Sequence, residues 1–222
     1  FDHLPAERQT LVFSATMPPE IRRLTNSILH DPATVQVGIT APADTVSHAF
    51  YPVSQQLKTT LLLQLLKKTD TRSVLVFTRT KHRARSLGKK LSAAGYNSTS
   101  LEGNLSQSRR RASLEGFRDG KFQILVTTDI AARGIDVTRI SHVINFDIPS
   151  TPDAYIHRIG RTGRATRSGE AFTFITGDDK KIVHAINRAI GSKVEQRVLP
   201  AFNHGESSSN HEFFLQEINQ QE

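Results

Sequence analysis

The sequence predicts an α/β fold, a mainly parallel central sheet flanked by helices in three layers. Short apolar, β-branched runs alternate with stretches of helical period, the pattern of strands joined by crossover helices. Polar residues suited to phosphate collect just after several of these runs, where open parallel sheets bind their ligands.

In order, Leu11 to Ala15 reads as a buried strand and Pro19 to Leu29 as a helix whose prolines suit a first turn. Thr34 to Val37 reads as a further strand, after which Ala41-Pro42-Ala43-Asp44 breaks the periodicity as a linker would. Val46 to Val53 is the next strand. Gln55 to Lys68 is a helix whose stripe Leu57, Leu61, Leu62, Leu65 and Leu66 reads as core. Val74 to Thr78 is a strand, Lys81 to Ala94 a helix stopped at Gly95 by a left-handed cap, and Ser98 to Leu101 a strand. Ser106 is the candidate N-cap of a helix reaching Phe117. Strands Gln123 to Thr127 and His142 to Phe146, helix Pro152 to Ile159, strand Ala171 to Ile175 and helix Asp178 to Ile190 complete the domain.

The chain has 222 residues, 37% of them hydrophobic, enough for one ordinary globular domain with appendages. It contains no cysteine, which excludes disulfides, thiolate metal sites and cysteine nucleophiles. The apolar run around Leu61-Leu62-Leu63 is far too short to cross a bilayer, so no membrane partner and a cytoplasmic location are expected. A formal charge of +8 and a pI near 10.0 point to a polyanionic partner, nucleic acid first. The excess is uneven: Arg72, Arg79, Lys81, Arg83, Arg85, Lys89 and Lys90 follow one another with no acidic residue between them. The end from Asn203 carries only acidic charge.

The run His157-Arg158-Ile159-Gly160-Arg161-Thr162-Gly163-Arg164 sets three guanidinium groups among two glycines. Arg161 and Arg164, three apart, would lie side by side on a turn or helix and could grip one polyphosphate. The run alone also fits a solvated basic helix end. After the strand ending at Thr127 come Thr128, Asp129, Arg133, Gly134 and Asp136, and after the strand ending at Thr78 come Arg79, Thr80 and Lys81. Hydroxyls, cations and backbone N–H groups suit phosphate oxygens, and a carboxylate suits a ribose hydroxyl. Asp129 and Asp136 have helix-cap or turn roles as their alternative, and Phe77 fits a core role as well as a site role. Of Arg109, Arg110 and Arg111, at most two can face one ligand.

Ser14-Ala15-Thr16, Val74 to Thr78, Gln107 with Arg110, Thr127 to Asp136 and His157 to Arg164 together resemble, in order and spacing, successive motifs of DEAD-box RNA helicases, with a bacterial RhlE-type flavour. The resemblance covers residues 11–191 and implies a RecA-like domain. It implies that Arg161 and Arg164 reach the γ-phosphate of ATP, Arg164 as the arginine finger, while Gly134 and Asp136 belong to the nucleotide site. Phe77, Thr78, Arg79, Gln107, Arg110, Thr128, Asp129, Arg133 and Gly134 match positions that line or support an RNA backbone track. Ser14, Thr16 and His157 match positions that couple the two domains.

Two elements of the family pattern are absent from this sequence: a Gly-x-x-x-x-Gly-Lys-Ser/Thr phosphate loop and an Asp-Glu-Ala-Asp run. The expected organisation is therefore a C-terminal fragment. Residues 1–37 would be the tail of a first RecA-like domain, 38–45 a linker, 46–200 a complete second RecA-like domain and 201–222 a polar, flexible tail. ATP with Mg²⁺ is the expected cofactor, the metal held by the missing first domain. The expected partners are RNA and that domain, with self-association through the severed N-terminal segment. The expected function is the C-terminal motor domain of an ATP-dependent RNA helicase, inactive as a hydrolase by itself. An RNA- or protein-binding module without turnover is the alternative.

Overall fold

The computed structural model describes residues 4–5, 7–14, 17, 19–35, 45–132, 140–163, 168–200 and 202. The chain divides into two compact units, 1–39 and 40–222. Among its described residues the first carries the helix α1 (Pro19–Ile28). Residues 11–14, expected as a buried strand, are irregular, and Phe13 and Leu11 are exposed. Residues 34–35 form no strand either. A strand needs a neighbour for its N–H and C=O groups, and the described residues of this unit hold none. The open strand edge on which self-association was expected is therefore not formed there.

The second unit carries β1 (Val46–Pro52), α2 (Lys58–Lys68), β2 (Val74–Phe77), α3 (Lys81–Ala93), β3 (Ser98–Leu101), α4 (Gln107–Arg118), β4 (Ile124–Thr127), α5 (Asp129–Ala132), β5 (His142–Asn145), α6 (Pro152–Ile159), β6 (Gly169–Ile175), α7 (Lys180–Ile190) and β7 (Glu195–Gln196). All seven strands are parallel, in the order β3-β4-β2-β5-β6-β1-β7. Every residue of β2, β4 and β5 is buried, so Val74 to Phe77, Ile124 to Val126 and Val143-Ile144 are consecutive apolar residues rather than alternating ones, and the polar Thr127, His142 and Asn145 at the strand ends are buried too. One face packs under α2 and α3 through Leu61, Leu62, Leu65, Ala84, Leu87 and Leu91. The other is covered by α4 to α7 through Phe117, Ala131, Tyr155, Ile159, Val183 and Ile186. The α2 leucine stripe is thus core, each fully buried leucine contributing about 2 kcal/mol of transfer free energy. Gly95 follows α3 at φ 90°, the left-handed cap its position required. The parallel three-layer prediction holds. The two-residue edge strand β7 and the four-residue α5 were not anticipated, because neither is long enough to show a period.

His142 opens β5 between Ser141, whose Oγ is 2.9 Å from Nδ1, and the Phe172 ring. Its buried Nε2 has no hydrogen-bond partner, and the Glu170 carboxylate is 4.0 Å away. Burial lowers its pKa, with Glu170 and Asp70 opposing. The unfolded chain then binds the proton first, so stability present above the ordinary histidine pKa is lost as pH falls through it. Denaturation midpoints should drop as pH is lowered from about 7.5 to about 5.5. The drop should be smaller in His142→Gln, and an unchanged drop would exclude His142 as its source.

Candidate nucleic-acid and nucleotide interface

The carboxyl ends of β2, β4 and β5 meet around one buried carboxylate. Asp147, two residues past β5, is 2% exposed. Its Oδ2 accepts the Arg79 backbone N–H at 2.9 Å, and its Oδ1 accepts Arg83 Nη1 at 2.6 Å. Lys58 Nζ, itself buried, lies 3.6 Å from Oδ1. Burial lowers the Lys58 pKa, and Asp147 pulls it back. Thr78 is buried and its hydroxyl donates to carbonyls of Thr80 and Thr127 at 3.3 Å, tying the ends of β2 and β4 together. Thr80 then caps α3 by accepting Arg83 N–H. The result is a rigid turn on which Arg79 is exposed.

A second knot lies beside it. Arg158 is 3% exposed; it donates Nε and Nη2 to the two Asp129 carboxylate oxygens at 2.6 and 2.7 Å. Its Nη1 donates to Asn145 Oδ1 at 3.0 Å and to the Asp147 carbonyl at 2.8 Å. The guanidinium sits 4.9 Å from the centre of the Phe77 ring. Asn145 passes the link on to Thr173 Oγ1 at 2.9 Å. Phe77 and Thr78, which the resemblance matched to positions that line or support an RNA track, are both buried, so Phe77 takes the core role its sequence also allowed. Asp129 is committed to Arg158 while keeping half of its side chain exposed.

α4 is joined to this rim by Arg110, whose Nη2 caps the Ala131 carbonyl of α5 at 2.7 Å. Of the arginine triplet, Arg111 pairs with Glu115 and Arg109 is exposed, so only Arg110 faces the site. Gln107 opens α4 exposed, and Thr128 is half-buried after β4. Glu102, buried past β3, accepts Arg85 Nε at 3.1 Å and Asn104 N–H at 3.0 Å.

The arginine-glycine run behaves differently. α6 crosses the sheet face with Tyr155, Arg158 and Ile159 buried, then tightens through Arg161 N–H to Arg158 O at 3.0 Å. Thr162 is buried and donates to the Ile140 carbonyl at 2.6 Å, ahead of β5. Thr45, ahead of β1, donates to the Gly163 carbonyl at 2.6 Å. Gly163 has φ 66°, and a Cβ there would overlap Val46, so only glycine allows this approach. The turn bearing Arg161 is thus anchored at the amino ends of β5, β6 and β1, opposite the Arg79 rim. The structure brings Phe77, Thr78, Arg79, Arg110, Thr128 and Asp129 together and holds Arg161 elsewhere. His157 is half-buried on α6, and Ser14 is exposed in the first unit. Thr16, Arg133, Gly134, Asp136 and Arg164 lie outside the described residues.

Arg158, Asn145 and Asp147 are the site residues that sequence reasoning left without a role. Tyr155 and Ile159 stand at i and i+4 on the buried face of α6, and Arg158 shares that face, a signal readable from helical phase. No helix among the described residues is long and apolar enough to cross a membrane, and no group of three His, Asp or Glu among them could hold a metal ion.

Residues 57–166 match the family model "Helicase conserved C-terminal domain". The chain is 42% identical over 201 residues to the DEAD-box ATP-dependent RNA helicase CshA of Geobacillus kaustophilus, covering 89% of this chain and 43% of that protein. It is 38% identical over 204 residues to RhpA of Helicobacter pylori, covering 91% and 42%. The chain thus spans about two fifths of the length of these curated relatives. Among solved structures, S. cerevisiae Dbp5 bound to RNA and ADP BeF3 matches with TM-score 0.80 and 29% identity over 98% of this chain and 56% of that one. The E. coli DEAD-box protein SrmB, bound to RraA, matches with TM-score 0.65 and 34% identity over 77% of this chain and 99% of that one. Sheet order and likenesses together define a RecA-like helicase domain. The chain belongs to the DEAD-box family of RNA helicases, of which it carries the C-terminal domain.

Proposed function

We propose that this domain works as the second half of an ATP-dependent RNA helicase, with one surface for RNA and another for ATP. The Arg79 rim, with Gln107, Arg110, Thr128, Arg133 and Gly134, grips the sugar-phosphate backbone of single-stranded RNA. Arg161 and Arg164, with Asp136, face ATP held by a phosphate-loop domain. Ser14, Thr16 and His157 couple the two domains.

The observation that carries this reading is the buried Asp147 carboxylate, which fixes the Arg79 backbone and Arg83 at the meeting point of three strands. A phosphate track needs cations whose positions are set before the ligand arrives, because ordering long side chains on binding costs affinity. The Asp129–Arg158–Asn145 knot runs from that rim into α6, the helix that leads to Arg161. Movement of one surface is thereby transmitted to the other through packed, hydrogen-bonded groups. When ATP is bound, its γ-phosphate supplies the charge that draws Arg161 and Arg164 and so favours closure of the two domains. The pinned turn at Thr162 and Gly163 suits that task, since it orients Arg161 from a fixed backbone. Mg²⁺ is assigned no ligand on this domain.

The 222-residue chain alone should hydrolyse ATP no faster than background, since no phosphate loop or Asp-Glu-Ala-Asp run stands in its sequence. A full-length polypeptide with the phosphate-loop domain should show turnover stimulated by RNA and much less by DNA. Stimulated turnover by the chain alone would overturn the division of labour. Equal stimulation by DNA would overturn the RNA assignment.

A further inference from the structure

The acid-free basic run from Arg72 to Lys90 is only partly used by the Arg79 rim, and most of the rest lies on α3. The buried face of α3 is Ala84, Leu87, Gly88 and Leu91, with Gly88 packed so closely on β3 that its carbonyl accepts Ser98 Oγ at 2.9 Å. That contact fixes the rotation of the helix and turns Lys81, Arg85 and Lys89, at i, i+4 and i+8, toward solvent with His82 and Lys90. Arg83 and Arg85 are held by the buried carboxylates Asp147 and Glu102, and Lys81 Nζ donates to Asn104 at 3.1 Å. Among the described residues, Lys89 and Lys90 have no ion-pair partner.

This arrangement works against the helix that carries it. Its first turn has no acidic residue and bears Lys81 and Arg83 against the positive end of the helix dipole. Like charges at i and i+4 repel as well. Asp147 and Glu102 offset Arg83 and Arg85 from neighbouring elements, which leaves the charges of Lys89 and Lys90 uncompensated among the described residues. α3 starts two residues after the rim residue Arg79, directly after its N-cap Thr80, and the row from Lys81 to Lys89 extends about 12 Å away from it.

We propose that the exposed face of α3 is a second backbone-contacting surface for RNA, which follows the strand after it leaves the Arg79 rim, with Lys89 and Lys90 as its outer contacts. The spacing of cations one helical turn apart is close to that of successive phosphates, and the contacts would read backbone rather than sequence. The inference rests on the RNA reading of the rim, and its test separates the two.

The 222-residue chain would be titrated with a single-stranded RNA of about six nucleotides, enough for the rim, and one of about fifteen, enough to continue along α3. Wild type, Arg79→Ala, Lys89→Ala/Lys90→Ala and the charge-keeping Lys89→Arg/Lys90→Arg would be compared at about 50 and 200 mM salt, with thermal melts to confirm folding. The double alanine variant should bind the short RNA as wild type does. For the long RNA it should lose two contacts, so that the salt-induced drop shrinks about sevenfold. The double arginine variant should behave as wild type. Arg79→Ala should weaken both RNAs. Unchanged long-RNA binding by the double alanine variant would overturn the α3 surface and leave those lysines to an acidic protein partner or to solvent. Equal loss on both RNAs would overturn it too, by placing the lysines at the rim or in the general field. Loss confined to the long RNA with no effect of Arg79→Ala would keep the α3 surface and overturn the rim.

Discussion

Replacing Arg164 by alanine in a full-length polypeptide that includes the phosphate-loop domain is expected to lower kcat by about 10³ to 10⁵, the range of an arginine finger. This corresponds to roughly 4 to 7 kcal/mol of transition-state stabilisation. Nucleotide affinity should fall far less, because the charge that the guanidinium meets develops mainly in the transition state. Arg161→Ala should lower kcat as well. Its backbone is pinned by the Thr162 and Gly163 contacts, so the loss would reflect the missing guanidinium rather than a displaced turn. The measurement is single-turnover hydrolysis with nucleotide binding determined separately. A parallel loss of binding and rate would contradict the finger role.

The second large effect is on stability. Arg158→Ala removes the shared donor of a buried network: Asn145 Oδ1 and the Asp147 carbonyl lose a donor, and the Phe77 ring loses its covering cation. Asp129 loses a two-point partner. Breaking a buried pair by deleting one member costs about 3 to 5 kcal/mol. At about 2 to 4 °C per kcal/mol for a domain of this size, the melting temperature should fall by roughly 6 to 20 °C. Arg158→Lys should not restore it, since a single ammonium lacks the planar fork that reaches Asp129, Asn145 and Asp147 together. A melt within a degree or two of wild type would show that the network is not structural.

These residues also mark where the sequence was readable. The strands were legible because both faces of β2, β4 and β5 are buried, leaving runs such as Val74-Leu75-Val76-Phe77 with no polar interruption. β7 was not, because its two residues, Glu195 and Gln196, are too few to show a period. The apolar run at Leu11 had the composition of a strand, but composition supplies no neighbour to bond. Within the site, the motifs located Arg79, Arg110 and Arg161 but could not say which charges are spent internally. Asp129 and Arg158 are separated by 29 positions, and their pairing depends on how α6 lies across the sheet. The burial of Phe77 and Thr78 follows likewise from their place at the end of a central strand rather than from their side chains. Subtype within the family is carried by none of these motifs.

The claim at the centre is that the Arg79 rim is a phosphate track, and a salt titration of single-stranded RNA binding to this chain without nucleotide tests it most directly. With about three or four phosphates neutralised at a slope near −0.7 each, raising salt from about 50 to 200 mM should weaken binding roughly twenty- to fifty-fold. RNAs of different sequence should bind alike, and Arg110→Ala should flatten the slope by about one contact. Binding that ignores salt, or that strongly prefers one sequence, would contradict the track.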